Sequence, residues 1–529
     1  MRRTPKLLLQ LTSFAALLAS RPALAEVFEV SPPDDVEAAI AMLAPGDELI
    51  VHGGTYTLSE RFGIDIAGTE AMPIVVRAAD GEVPVLDRPN ADQNVIDIDS
   101  AEYLVLRGLV VSGGSHGIRI ISARYLTIES CEIKDTADVA LSANSGGPYE
   151  NLHIVGNHIH DTDGTGEGMY LGCNSDACRI QDSVIERNYV HHTNAATVEQ
   201  GDGIEIKEGS FNNIVRDNVI HDTNYPCILT YSTVGNGGPN IIERNAMWGC
   251  GDHGIQSAAD AVIRNNIILG SNADGIAMQP HQAGAPANLI VVHNTILKSS
   301  GSGISLSGAV GSVVIANNAV YAMGEAIGLG GDLSQTVVVG NVGQGSGPSG
   351  FSGSGSLADF VGASFSGAPP NDVFPAVGSA LIAAGDAAHV TTDDFNGTAR
   401  NGIADVGAYV FDASGNPGWT IGPGFKDATP TGEGGGASTT STGQTSATGG
   451  TNGSGPSGSG PGAGSGGADG AGGADGGDGE DGCDCRATAA STSASSIAWI
   501  IAFCAAFARS LRHRRGVAPS SILRQQRRR

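Results

Sequence analysis

Asp202, Glu205 and Lys207 stand close together in the run GDGIEIKEGS, where Ile204 and Ile206 alternate with the charged positions. Carboxylates beside a lysine are residue types for proton transfer. Acids hold a hard cation or act as acid and base, and an amine of lowered pKa takes a proton. Glu205 and Glu208 oppose that role, because they favour the charged ammonium of Lys207; a bound cation would reverse the local field. Without a cation, Lys207 reads as a salt-bridged surface residue. A second group of chemistry-bearing residues is His158, His160, His191, His192 and His221. His160 and His221 precede Asp161 and Asp222 in equivalent HDT segments. Stacked imidazoles suit a transition metal. The alternative is that HDT is a bend motif needing no ligand.

These residues come together only if the elements carrying them stack. The segments HIVGNHIHDT, VIERNYVHHT, IVRDNVIHDT, IIERNAMWGC, VIRNNIILGS, IVVHNTILKS and VVIANNAVYA share one pattern. Their recurring asparagines are read as Asn157, Asn188, Asn218, Asn245, Asn265, Asn294, Asn317 and Asn341, separated by 31, 30, 27, 20, 29, 23 and 24 residues. A second short strand accompanies each: HGIRI, EGMYL, DGIEIK, HGIQS, DGIAMQ and SGISLS, alternating apolar with polar residues. Short strands joined by Gly and Asn bends predict a parallel β-helix whose coils stack at about 4.8 Å. The asparagines then form a buried amide ladder, and Cys131 takes the ladder position one coil earlier as a small buried side chain.

Stacking places the residues before the strand glycines in one outer column: His116, Asp138, Glu167, Asp202, Pro226, His253, Asp274 and Ser302. Glu167 and Asp202 would face each other as like charges, so one protonates or a cation sits between them. Calcium suits that pair of carboxylates; ordinary Asp-Gly turn chemistry is the alternative. Glu205 and Lys207 share the outer face with Tyr170 one coil earlier and Tyr231 one coil later. His253 and Gln279 extend the surface as substrate contacts. The loops 161–167, 172–179, 193–201 and 231–239 flank this patch, as walls of a groove for an extended polymer would.

The chain has 529 residues, 78 of them glycine and 5% aromatic, which favours a repetitive β architecture over a globular core. Its net charge of -26 argues against a nucleic-acid partner. Arg2, Arg3 and Lys6, then apolar Leu7 to Leu18 and Ala23 to Ala25, read as a signal peptide spanning 1–25. Of the eight cysteines, Cys173 and Cys178 are spaced to staple a loop outside the cell, or to stay as two thiols. From Asp412 the composition turns to Gly, Ser, Thr and Ala, a disordered linker over 412–482. The segment 483–529 carries Cys483 and Cys485, the apolar run Ile497 to Ala508 and a basic end.

The opening stretch DDVEAAIAMLAPGDELIVHGGTY resembles the first coils of right-handed parallel β-helix proteins of the pectate-lyase-like superfamily, with Ala39 to Leu43 as capping helix. The segment at about 360–411 is similar to their closing segment, through Ser379, Gly385, Asp394, Gly397, Arg400, Asp405 and Gly407. The resemblance implies an all-β, single-stranded right-handed parallel β-helix over 26–411. EIKEGSFNNIVRDN also resembles the catalytic-lysine strand of lyases related to chondroitinase B and alginate lyase. That similarity implies Lys207 as the base in β-elimination, Glu205 as a calcium ligand, and an arginine in the next coil; CILTYS puts Tyr231 there instead. The Cys pair, apolar run and basic end resemble myxobacterial C-terminal sorting signals, implying attachment to the cell surface or outer membrane through the tail; the chain is expected to be a monomer. The function so implied is a secreted protein that binds an acidic polysaccharide, leaning to a calcium-assisted lyase. Two alternatives stay open: a non-catalytic surface protein, and a glycoside hydrolase using Glu167 with Asp202 or Glu205.

Overall fold

The computed structural model describes residues 25–426. The expected linker beyond 426, the Cys483 and Cys485 pair, and all but the last residue of the expected signal peptide lie outside the described residues. Among the described residues no helix is long and apolar enough to cross a membrane.

Alternation of apolar and polar residues builds three long parallel sheets. Sheet 1 has 13 strands from Val27–Val30 to Thr336–Val339, and sheet 2 has 13 from Gly54–Thr57 to Phe351–Ser352. Sheet 3 has 11, from Gly63–Ile64 to Ile327–Leu329, so the chain winds through about eleven coils. Register in sheet 3 stacks Ile118, Leu141, Met169, Ile204, Ile228, Ile255, Ile276 and Ile304 in a single inward file. All eight are buried in one apolar core, each contributing about 1.5–3 kcal/mol of burial. The neighbouring positions, Tyr170, Glu205, Leu229 and Gln256, form the adjoining file on the outer face.

The amide ladder runs through Asn157, Asn188, Asn218, Asn245, Asn266, Asn294, Asn318 and Asn341. Each Nδ2 donates to the Oδ1 of the next at 2.9–3.0 Å. Two expected members, Asn265 and Asn317, are replaced by their successors. Both adopt positive φ, 55° and 56°, which turns their side chains outward: Asn265 bonds Asp393 O and Asn317 bonds Asp386 O. Cys131 caps the ladder, its N–H donating to Asn157 Oδ1 at 3.0 Å; burial pushes its thiol up to about 11.

The capping helix is Val36–Ile40, earlier than Ala39 to Leu43, because Asp35 accepts from the Ala38 N–H and fixes its start. The closing segment lies on the outer face of sheet 2, where Phe360, Phe374, Phe395 and Tyr409 cover Val219, Ala246, Ile267 and Leu297. It continues past 411, the expected end of the folded part: Ile421 and Lys426 are buried. Lys426 Nζ donates to Asp217 Oδ1 at 2.7 Å and to the carbonyls of Arg244 and Phe395.

Candidate functional site

Sheet register assembles the site. Met169 beside Ile204 sets Glu167 next to Asp202, and Tyr170 pairs directly with Glu205. Lys207 and Tyr231, each one residue past its strand, are neighbours through Ile206 and Thr230. Asp138 is not in this column: Leu141 beside Met169 brings Val139 next to Glu167. Asp138 acts from behind, since Thr165 Oγ1 lies 2.6 Å from its Oδ1 and 2.7 Å from Glu167 Oε2. Gly172 underlies Lys207 with φ +100°, and a Cβ there would meet Lys207 Cβ at 3.0 Å.

The carboxylates crowd. One oxygen each from Glu167, Asp202 and Glu205 lies within 4.8 Å of the others. Glu205 Oε1 accepts from Lys207 Nζ at 2.9 Å and from the Tyr231 hydroxyl at 2.9 Å. Lys207 also donates to the Tyr231 oxygen at 3.2 Å, and its ammonium sits 4.9 and 4.5 Å from the Tyr170 and Tyr231 ring centroids. Four carboxylate oxygens have no protein partner: Glu167 Oε1, both of Asp202, and Glu205 Oε2. Burial and the Glu205 charge push Glu167 up to about 7. Burial, then Glu205 and Glu167, drives Asp202 well above the usual carboxylate range. Burial likewise holds the Tyr231 phenol protonated.

Lys207 is not the surface residue the sequence suggested. Glu167, Asp202, Glu205, Lys207 and Tyr231 are 0, 1, 1, 4 and 3% exposed. Loops close over them. On one side Glu199 and Gln200 N–H groups bond Gly164 and Thr165 carbonyls at 2.9 and 3.0 Å. On the other, Asn236 reaches Asp176 Oδ1 and Gln282 reaches Asn174 Oδ1. Glu208 is engaged in the same stitching, accepting from Ser175 N at 2.6 Å and Ala283 N at 2.8 Å.

Cys173 and Cys178 are disulfide-bonded at the base of one loop. His253 and Gln279 stand apart from the cluster, each two coils beyond its rung: His253 follows Asp202 and Pro226, and Gln279 follows Tyr231 and Ala258. His253 Nδ1 accepts from the Asp274 N–H at 3.1 Å. Sequence analysis missed His281, whose Nε2 is 3.2 Å from the Tyr231 hydroxyl. Burial and the Lys207 ammonium lower its pKa. It lies in a loop outside the repeat, so no periodic signal marks it. The second disulfide, Cys227–Cys250, was also missed. Aligning IIERNAMWGC under IVRDNVIHDT would have found it, since Cys250 pairs in register with Thr223, near Cys227.

Residues 25–177 match a family model described as Pel9A-like, right handed beta helix region. Residues 178–320 match one described as right handed beta helix region. A pectate lyase PEL9 of Emericella nidulans is 28% identical over 102 residues, which are 17% of this chain and 25% of that protein. The chain thus spans about a quarter of that curated relative. Among solved structures, pectate lyase Pel9A superposes with a TM-score of 0.46 at 14% identity, over 73% of this chain and 96% of that one. An alginate lyase from Paenibacillus sp. gives 0.41 at 20% identity, over 59% and 99%. Residues 25–320 are therefore right-handed β-helix, similar over their first half to the Pel9A-like region.

Proposed function

We propose that the chain is a secreted, surface-attached protein that grips an acidic polysaccharide across the outer face of sheet 3 and cleaves it by β-elimination. The observation that carries this is the buried trio of carboxylates beside Lys207, with four oxygens that no protein group satisfies. Buried charge of one sign calls for protons or a cation, and an all-oxygen donor set fits a hard ion such as calcium. Glu167, Asp202 and Glu205 would hold it. Such an ion, when bound, supplies neutralisation of a uronate carboxylate, which acidifies the adjoining C5–H. Similarity to a pectate lyase supports the substrate class, and two disulfides suit an oxidising exterior.

Once the loops stitched over the cluster part to admit the polymer, Lys207 takes the C5 proton, the C4–O4 bond breaks as the C4–C5 double bond forms, and the Tyr231 hydroxyl gives its proton to O4. Glu205 ties Lys207 as an ammonium at 2.9 Å; charge drawn from Glu205 to a ligand frees the amine as base. Tyr231 with His281 stands where the lyase resemblance places an arginine. Of the hydrolase alternatives, oxygens within 4.8 Å are too close for the about 6.5–9.5 Å of an inverting pair and leave only the about 5 Å spacing of a retaining one.

The test is incubation with polygalacturonate, alginate and chondroitin, in calcium or chelator, followed by ultraviolet absorbance of unsaturated uronate ends. Absorbance should rise only with calcium and fall about 10²–10⁴-fold in Lys207→Ala. No absorbance on any substrate sinks the lyase proposal. Equal polymer binding by both proteins without product would leave a binding protein.

A further inference from the structure

The outer face of sheet 2 carries a second cluster that the proposed elimination does not use. Register sets Lys134, His160, His191, His221 and Trp248 in one row. The rings of His160, His191, His221 and Trp248 lie parallel within 10°, at 4.6–5.1 Å. Glu132, His158 and Tyr189 form the adjacent row. His158 leans across: its Nε2 is 2.8 Å from His191 Nε2, and its ring centroid is 4.1 Å from that of His160. Stacking alone does not ask for that convergence.

Tautomers decide what the convergence means. His160 Nδ1 is 2.6 Å from Asp161 Oδ2, so the proton belongs there and the Nε2 lone pair faces outward. That Nε2 lies 3.1 Å from Glu132 Oε1. Two arrangements satisfy that contact: a second ring proton donated to Glu132, or a cation held jointly by the Nε2 lone pair and the carboxylate. His191 Nδ1 is 2.5 Å from His192 Nδ1, and with His191 as the donor its Nε2 lone pair turns to His158. With its own proton on Nδ1, His158 turns a further lone pair into the same space. One ring nitrogen from each of His158, His160 and His191 lies within 4.8 Å of the others. Tetrahedral zinc, with bonds of about 2.0–2.1 Å, separates its ligands by about 3.3 Å, so ring movements of roughly 1 Å would close the set. Asp161 and His192 orient their ligands as outer-shell partners of metal-bound imidazoles do. One group opposes: Lys134 Nζ holds Glu132 Oε1 at 2.8 Å.

We propose that His158, His160 and His191 with Glu132 form a binding site for a borderline divalent ion of the zinc class, separate from the carboxylate trio on sheet 3. The cluster is made of half-buried to buried side chains on adjoining strands, so its spacing is set by the sheet. Phe425 stands edge-on to His158 at 6.2 Å, at the end of the described chain.

The experiment uses the tag-free full chain, stripped by chelator and dialysed against Zn²⁺ with excess Ca²⁺ present, and metal analysis of the bound fraction. Wild type should hold one equivalent of Zn²⁺ that the double variant His158→Ala/His160→Ala loses. Each single variant should weaken it at least about tenfold, the lower end of what an outer-shell change costs. Glu167→Gln should leave it unchanged. Co²⁺ in place of Zn²⁺ should give the visible absorption of a tetrahedral site in wild type only. If the histidine variants fail to fold, Lys134→Met decides: freed of its ammonium, Glu132 should bind Zn²⁺ severalfold more tightly. Zn²⁺ uptake that the double variant keeps, no uptake by wild type, or a Lys134→Met affinity that is unchanged or weaker overturns the proposal.

Discussion

Chelating divalent cations and raising the pH from 5 to 8 should destabilise this protein, and the carboxylate trio sets how far. Glu167 is fully buried, with a folded pKa of about 7 against an ordinary 4.5. A folded state that keeps its proton to higher pH than the unfolded chain loses stability as pH rises between the two values. Between pH 5 and the folded value lie about 2 pH units, which at about 1.4 kcal/mol each give roughly 3 kcal/mol lost by pH 8. Asp202 is displaced in the same direction and adds to the loss. The assay is denaturant unfolding at pH 5 and pH 8 in chelator, repeated in calcium. Wild type in chelator should be weaker at pH 8, Glu167→Gln should lose most of that slope, and calcium should restore wild type. Calcium at a hundred times its Kd contributes about 2.7 kcal/mol, enough to offset most of it. Equal slopes in wild type and Glu167→Gln would refute the assignment of the strain to this cluster.

Asn218→Ala removes the acceptor of the Asn188 N–H and two side-chain hydrogen bonds inside the ladder. With about 1–3 kcal/mol for the orphaned donor and about 0.5–1.5 for each lost bond, the loss should be about 2–6 kcal/mol. Native-state hydrogen exchange should show the Asn188 amide losing protection. Cys227→Ser/Cys250→Ser opens a link of sequence separation 23 and should lower unfolding stability by about 3 kcal/mol, read as a lower denaturant midpoint.

Much of the fold was legible because alternation and recurrence are local properties. Ile204, Glu205 and Ile206 already show which side chains face inward, and the repeat fixes which coil lies under which. Where two identical residues adjoin, as at Asn265–Asn266 and Asn317–Asn318, only backbone handedness chooses between them, and a residue string does not carry φ. The Glu167, Asp202 and Glu205 trio was legible for the same reason as the core: its members sit at fixed offsets from strand residues. His281 and the closing of loops over Lys207 were not, since both depend on loop conformations outside the period. The burial of Ile421 and Lys426 was not legible because their Gly- and Pro-rich surroundings resemble the Gly- and Ser-rich sequence that follows.

The closing segment has a consequence for how the protein is made. Coils can wind one upon another as the chain emerges, each using its predecessor as template. Val219, Ala246, Ile267 and Leu297 nevertheless stay bare until residues beyond 357 arrive to cover them. Asp393 then ties to Arg244, 149 positions earlier, and Lys426 to Asp217, 209 positions earlier. Biogenesis therefore leaves a sticky flank open until the residues up to Lys426 are synthesised, and a chain cut short before that point would present it to its neighbours.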